Sequence, residues 1–178
     1  MSMLTRLIRR VLRQSIDTST PGVQAQVESL ADEVHREVEV LETYGVTACP
    51  PDDVPEGLAV FVGGEADHAM VLGWLDRIYR PRGLKPGEVA LYSMHGQRVF
   101  LDELGQLTLS DKAGSTVLLA QDGTVTITPA AGQLTINANV TIDGTVNASG
   151  DVVAGSVSLQ GHVHPGVQSG QAKTGKPS

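Results

Sequence analysis

The first half of the chain is built from short runs in which apolar and polar residues alternate. A period of two places successive side chains on opposite faces of a strand, and Gly, Pro and Asp residues separate the runs as turns. Five strands of this length are typical of a small Greek-key barrel, so we expect an OB-fold barrel over residues 20–93. The predicted strands are residues 23–27, 34–40, 58–62, 69–74 and 89–92.

The second half of the chain carries a repeat. Gly105, Gly114, Gly123 and Gly132 recur every nine residues, and aliphatic pairs at positions i and i+2 lie between them. Repeats of this kind bury their apolar sides only by stacking on neighbours. Burial on one side of a lone ribbon does not offset the entropy lost on ordering it. We therefore expect three chains to wrap as an intertwined β-helix over residues 94–160, with apolar sides on the axis.

The first residues carry apolar side chains at helical spacing. A separation of three and four between them predicts a short amphipathic helix within residues 1–19, with arginines on its polar face. Three uses of this helix remain open: docking to an acidic partner protein, packing on its own domain or trimer mates, and contact with a membrane surface. The candidate docking residues are Arg6, Arg9, Arg10 and Arg13.

His162 and His164 follow the repeats directly, in the sequence Gly-His-Val-His-Pro. Positions i and i+2 of a strand point to the same side, so both imidazoles project together. Two ligands do not close a metal site, but three copies supply six nitrogens in octahedral outline. Six neutral imidazoles suit an octahedral first-row ion better than zinc, which prefers four ligands. Such a saturated site is structural, and we place it in an apex spanning residues 161–178.

The competing interpretation of these histidines is a solvated pair near a tail, and a hydrolase-type metal site would need further ligands downstream. We expect His35, His68 and His95 to be surface or turn residues, and Cys49 to be a small buried or half-buried thiol. No catalytic constellation surrounds any of them. The sequence therefore predicts that the protein is not an enzyme.

The charge and hydropathy of the chain limit what we expect of two classes of partner, namely nucleic acids and membranes. The formal net charge is -7, whereas a nucleic-acid partner would favour a basic face, so none is expected. The arginine-rich first segment has no apolar core of the signal-peptide type, and no window approaches the ~18 apolar residues of a membrane span. Any contact with a membrane is therefore expected to be mechanical or peripheral.

Several stretches are more specific than the repeats. The most specific are GLKPGEVALY at residues 83–92 and GHVH at residues 161–164, and the others are ETYG at residues 42–45, Pro50-Pro51, Gly63-Gly64 and the leading arginine-rich segment. In these stretches, and over essentially its whole length, the chain resembles the central spike, or baseplate assembly protein V, of Mu-like contractile-tailed bacteriophages and related pyocins.

The resemblance implies a homotrimer with an OB-fold collar, a triple-stranded β-helix and a pointed apex in which His162 and His164 of three chains bind one iron ion. It implies a collar that sits under the baseplate hub, and a spike driven through the host outer membrane when the sheath contracts. The expected location is the virion tail baseplate, assembled in the host cytoplasm. The arginine segment could contact the hub, the tape-measure protein or its trimer mates. Some relatives hold calcium and chloride in the shaft, and the candidate ligand here is an axis-facing Asp or Asn near Asn139, Asp143 or Asp151.

Two other functions compete with the spike. A trimeric β-solenoid enzyme of the hexapeptide acyltransferase type needs a six-residue repeat, whereas the dominant spacing here is nine. A receptor-binding fibre tip is disfavoured by the compact collar, the short chain and the absence of aromatic residues after Phe100. Acyl-transfer activity or specific adsorption to host cells would favour one or the other.

Overall fold

The structure, a computed structural model, describes residues 7–29, 32–65, 68–163, 166 and 170. These residues are almost entirely β-strand, turn and extended chain, as the alternation predicts, and form two compact units, Met1–Leu134 and Thr135–Ser178. No helix among them is long and apolar enough to cross a membrane. The strands are β1 Ile8–Asp17, β2 Gln24–Glu28, β3 Val34–Val40, β4 Glu56–Phe61, β5 Ala69–Trp74, β6 Val89–Tyr92, β7 Arg98–Leu101, β8 Leu107–Ser110, β9 Thr116–Leu119, β10 Val125–Thr128, β11 Val153–Ala154 and β12 Val157–Ser158.

The first five strands close into a barrel with the order β1-β2-β3-β5-β4, in which β1 completes the circle by pairing with β4. β3 and β5 are parallel, and the other pairs are antiparallel. Closure removes the exposed sheet edges. Phe61 is fully buried at the centre of a small core, whose other buried members are Val11, Val23, Ala25, Val27, Val38, Val40, Ala59, Ala69 and Val71.

The predicted N-terminal helix is wrong for the described part of that segment. Residues 8–17 form β1, which hydrogen-bonds to β2 on one side and β4 on the other. The apolar stripe is divided between two strand faces: Val11 is buried, whereas Ile8 and Leu12 are about half exposed. Two pairing edges offered by the barrel satisfy the backbone along the strand, and this outweighs the weak local preference for helix.

Strands β6 to β10 form an antiparallel meander in strand order. Its first strand, Val89–Tyr92, was predicted at its observed bounds but assigned to the barrel, and β1 takes that place instead. The nine-residue repeat is one strand plus one tight turn. In the turn after β7, Gly105 has φ +82 and its N–H donates to Asp102 O, and the same turn recurs along the meander. The predicted limits of collar, shaft and apex, at residues 93 and 160, stay predictions.

The second unit starts with an extended stretch that joins no strand ladder among the described residues. Between Thr128 and Val153, which the structure describes throughout, no residue belongs to a strand. The chain then turns back as the β11–β12 hairpin, with Val153 opposite Ser158 and Gly155 in the turn at φ +61. This hairpin carries the chain into the predicted apex.

Candidate metal centre and apolar faces

A network of short hydrogen bonds closes the apical hairpin and leads to the first predicted metal ligand. Leu159 N donates to Val152 O at 2.9 Å, and Gln160 N donates to the Asp151 carboxylate at 3.0 Å. Both bonds cross the base of the hairpin beyond its two-residue strands. They fix residues 159 and 160 within their own chain, immediately before the histidine.

The His162 ring lies against main-chain oxygens. Its Nδ1 is 2.9 Å from Ser158 O and 3.2 Å from Leu159 O. A carbonyl oxygen only accepts, so Nδ1 must carry the proton in these contacts, and the lone pair of the neutral ring lies on Nε2. Metal-binding histidines use this arrangement, in which the non-ligating nitrogen donates to a carbonyl or carboxylate. The donor chemistry of His162 therefore fits the metal role expected from the sequence.

His164, the second predicted ligand, lies outside the described residues. In the part of the chain that is described, no three His, Cys, Asp or Glu side chains gather as a potential metal site. A site with two ligands from each of three chains would draw its six nitrogens from different copies. The iron, calcium and chloride expected from the resemblance therefore stay predictions.

Sequence reasoning missed two polar groups that hold the apex together. Ser158 Oγ accepts the Gly161 N–H at 2.8 Å, and the Asp151 carboxylate accepts Gln160 N–H. A hydrogen bond from the Ser158 hydroxyl, together with that from the Gln160 N–H, holds the pKa of Asp151 below its ordinary value. No periodic pattern identifies these contacts, because they join residues across a hairpin whose closure depends on its turn.

The meander presents one continuous aliphatic face. Side chains two residues apart share a face, and the register aligns them in two rows that run across all five strands. Seven of the ten are exposed, among them Leu91 at 59% and Val125 at 62%. We call this set the aliphatic face: Leu91, Val99, Leu109, Val117 and Ile127 in one row, and Val89, Leu101, Leu107, Leu119 and Val125 in the other.

The opposite face of the same meander is mainly polar. Tyr92, Arg98, Ser110, Thr116 and Thr128 form one of its rows. Strands that carry polar side chains on one face and aliphatic ones on the other are made to bury the aliphatic side. In a single chain that burial is missing, and the aliphatic row that starts at Leu91 lines a groove of about 610 Å³ together with the polar row that starts at Tyr92.

Residues 135–150, which we call the unpaired segment, alternate strictly along their whole length. Every even-numbered position is apolar or Gly, including Ile136, Val140, Ile142 and Val146. Every odd-numbered position is Thr, Asn, Asp or Ser. Those four aliphatic side chains are 57–64% exposed. The sequence is that of a strand, whereas the backbone makes no ladder within its own chain.

Two of the four arginines predicted to dock a partner are engaged inside their own barrel. The Arg9 guanidinium lies 4.4 Å above the Phe61 ring and donates to Glu33 at 3.0 Å. The Arg13 side chain is 4% exposed and donates to Pro50 O at 2.8 Å and Pro51 O at 2.7 Å. Both arginines therefore stabilise the barrel and its proline loop.

The other two arginines differ. Arg10 points to the outer face of β1 and is exposed, whereas Arg6 lies outside the described residues. Docking through this segment stays a prediction, with Arg10 as its accessible member among the residues described.

Two expectations about isolated side chains are wrong. His35 is only 6% exposed, because its ring packs edge-on against Phe61 and its Nε2 contacts Ser29 Oγ at 3.1 Å. Cys49 is exposed rather than buried, since it lies in the loop before the two prolines held by Arg13. His68 and His95 are exposed, as expected.

Comparisons with known proteins match both ends of the chain. The family model described as Bacteriophage Mu Gp45, N-terminal, matches residues 10–78, and that described as GpV Apex motif matches residues 156–178. The baseplate puncturing device gp45 of Escherichia phage Mu is 33% identical over 117 residues, which cover 62% of this chain and 59% of that relative. The Mu-like prophage FluMu protein gp45 of Haemophilus influenzae is 27% identical over 176 residues, which cover 98% of this chain and 90% of that relative.

The matches at the two ends of the chain support a role in a phage tail baseplate. By these matches the chain is similar to Mu-like phage baseplate spike proteins. It spans about three fifths of the length of the phage Mu relative. The name of that relative denotes a puncturing device, which agrees with the expectation that this chain is not an enzyme.

Proposed function

We propose that three copies of this chain form the central spike of a contractile-tail baseplate and pierce the host outer membrane when the sheath contracts. The closed barrel would be the OB-type collar. The unpaired segment of three chains would wrap as the β-helical shaft, and the apex would end in one metal ion. This proposal rests mainly on apolar surface that a single chain leaves in water.

The aliphatic face supports the trimer most directly. Burying a Val, Leu or Ile side chain contributes about 1.5–3 kcal/mol, so the seven exposed members of this face represent a large unused driving force. A contiguous exposed patch of this kind marks an interaction site. A second copy of the same chain is the favoured occupant, because it offers an equally uncharged aliphatic surface of matching strand spacing.

The unpaired segment gives an independent argument. Its backbone N–H and C=O groups need partners once its aliphatic side chains are buried. Identical segments from two other copies supply both: strand edges for the backbone, and apolar side chains for an axial core. Packing the even-numbered residues on the axis would place Asn139 and Asp143 on the outside, so calcium or chloride in the shaft stays a prediction from the resemblance alone.

At the apex, His162 and His164 of three chains would hold one iron ion. The ion would crosslink three chain ends, and six protein ligands would leave it no position for a substrate. The Nδ1 contact of His162 with Ser158 O supports this role, because metal-binding histidines typically donate their other ring N–H to such an oxygen. A clamp at this point would oppose fraying at the end of the shaft, where the load falls during piercing.

The proposed location is the virion tail baseplate after assembly in the host cytoplasm. The collar would dock under the hub, with the tape-measure protein as an alternative contact of the arginine segment. Arg10 is the exposed cation that we assign to this docking, because Arg9 and Arg13 are committed to their own barrel. The host outer membrane would be a transient partner, and nucleic acid is not expected.

Native mass spectrometry of the full-length protein tests assembly and metal together. We expect a trimer that carries one iron ion, and a metal-free trimer for the variant His162→Ala/His164→Ala. A monomer would contradict the spike. A trimer with one metal per chain would contradict the shared apical site but leave the shaft argument intact.

Piercing is tested on particles that carry the same double variant. We expect normal adsorption to host cells and reduced permeability of the outer membrane to a fluorescent dye after contraction. Reduced adsorption would instead favour a receptor-binding tip.

A further inference from the structure

The apical hairpin holds His162 through a side chain that no repeat or metal motif includes. We propose that Ser158 is a positioning residue for the metal ligand His162, acting through the Gly161 backbone. This inference deepens the proposed iron clamp and rests on it. The inference concerns the residue that orients a ligand, whereas the clamp concerns the ligands themselves.

Ser158 contacts the residues around the histidine through both its hydroxyl and its carbonyl oxygen. Its Oγ accepts the Gly161 N–H at 2.8 Å, and its carbonyl oxygen accepts the His162 N–H at 3.1 Å and lies 2.9 Å from His162 Nδ1. Ser158 therefore holds three groups: the backbone N–H of Gly161, the backbone N–H of His162 and the His162 ring. Fixing all three sets the direction in which Nε2 points.

Gly161 has little space for a side chain beside Ser158. A Cβ built there would lie 3.1 Å from Ser158 Oγ, which is closer than most side-chain contacts. Glycine therefore permits the short bond between Gly161 N and the serine hydroxyl. Alanine would push the hydroxyl aside by a few tenths of an ångström.

Ser158 is itself anchored by the hairpin. It lies at the end of β12, opposite Val153. On the other arm of the same hairpin, the Asp151 carboxylate accepts the Gln160 N–H at 3.0 Å. The two arms of the hairpin are thus joined on both sides of the serine. Each chain can form these contacts before it meets its two partners. In the proposed site, each chain would therefore contribute a His162 whose orientation is already set.

The test compares metal retention in three purified full-length variants. Groups that orient a metal-bound histidine typically contribute 10–100-fold to metal affinity. We expect Ser158→Ala to lose iron to a chelator about 10–100-fold faster than wild type, and Ser158→Thr, which keeps the hydroxyl, to stay within a few fold of wild type. Ser156→Ala removes an exposed hydroxyl from the turn of the same hairpin and serves as the matched control.

A second readout separates positioning from loss of structure. With Co²⁺ as the probe, a six-coordinate site absorbs weakly, and loss of a ligand strengthens the visible bands. We expect stronger bands in Ser158→Ala and in Gly161→Ala, while the metal-free proteins melt at the wild-type temperature. Gly161→Ala keeps the hydroxyl but displaces it, so it tests the same contact should Ser158→Ala fail to assemble.

The outcomes distinguish this inference from the clamp. If the wild-type trimer binds neither iron nor cobalt, the clamp fails and the role of Ser158 fails with it. If wild type binds metal and Ser158→Ala retains it equally well with an unchanged cobalt spectrum, the inference alone is overturned. Equal loss in Ser156→Ala would also overturn it, because the effect would then be general to the hairpin.

Discussion

The meander and the unpaired segment share the same alternating sequence pattern but differ in what their strands pair with. Both alternate aliphatic with polar residues, yet β6 to β10 pair with one another, whereas residues 135–150 join no strand ladder among the described residues. The difference lies in the turns. Every hairpin of the meander has a five-residue connection with a positive-φ glycine, as at Gly105 and Gly114, whereas residues 135–150 contain no hydrogen-bonded turn of this kind.

Alternation therefore specifies that a segment is a strand, and turns specify which strand it joins. A chain that can fold back forms its own ladder. A chain that cannot fold back keeps its backbone and its aliphatic side available to other copies. The first region can build structure as a monomer, and the second depends on assembly.

The largest effect is expected from a charge in the unpaired segment. Ile142→Asp would place three carboxylates close together on the proposed axis, and an uncompensated buried charge typically costs about 3–5 kcal/mol. We expect loss of the trimer, measured by analytical ultracentrifugation, with a barrel that remains folded by circular dichroism.

The matched control is Thr141→Asp, which puts the same charge on the alternate face of the segment. It should leave the trimer intact. Equal tolerance of both substitutions would show that the even-numbered side chains do not pack on an axis, and the comparison between the two regions would lose its basis.

A smaller effect is expected in the barrel, and it should not depend on assembly. Arg13→Ala removes the donors to Pro50 O and Pro51 O, and hydrogen bonds that involve a charged group are worth about 1.5–3 kcal/mol each. We expect the free energy of unfolding to fall by about 3 kcal/mol in urea denaturation.

The control for this variant is Arg10→Ala, at an exposed position of the same strand, which should change stability by no more than about 0.5 kcal/mol. Equal loss in the two variants would mean that charge, rather than the hold on the proline loop, explains the effect. Loss of the trimer in Arg13→Ala alone would make the barrel part of the assembly interface.

A third prediction concerns the turns that distinguish the two regions. Gly105 has φ +82 with open space around it, so Gly105→Ala meets backbone strain of about 1–2 kcal/mol and no clash. We expect the melting temperature to fall by a few degrees with the trimer retained. Gly22→Ala is the control, because that glycine has open space and no positive φ, and it should be neutral.

The sequence predicted much of the fold because alternation is strong where strands are short and half-buried. The bounds of β3, β5 and β6 match the predictions at 34–40, 69–74 and 89–92. β1 was missed because its inward positions include Arg9 and Arg13. Their partners, among them the Phe61 ring and Pro51 O, are remote in sequence.

The same limit applies to the candidate site. The His162/His164 spacing was visible because it depends only on the strand period, which needs no knowledge of the fold. Ser158 and Asp151 were not recognised as supports, because their contacts exist only after the hairpin closes. Local periodicity thus predicts ligands, and long-range closure determines what orients them.

The smallest effect is expected from acid, and it should fall on the meander turns. Asp111 accepts the N–H groups of Ser115 and Gly114, and the bond from Ser115 is the main reason that the pKa of Asp111 lies below its ordinary value. A lowered folded-state pKa contributes stability that is fully present above the unfolded value, about 3.9, and is lost as the pH falls through the folded pKa. We expect melting temperatures of wild type and Asp111→Asn to differ by a constant amount from pH 5 to 7 and to converge below about pH 4. Curves that stay parallel down to pH 3 would show that this carboxylate does not stabilise the turn, and would weaken the claim that turn chemistry separates the self-paired region from the unpaired one.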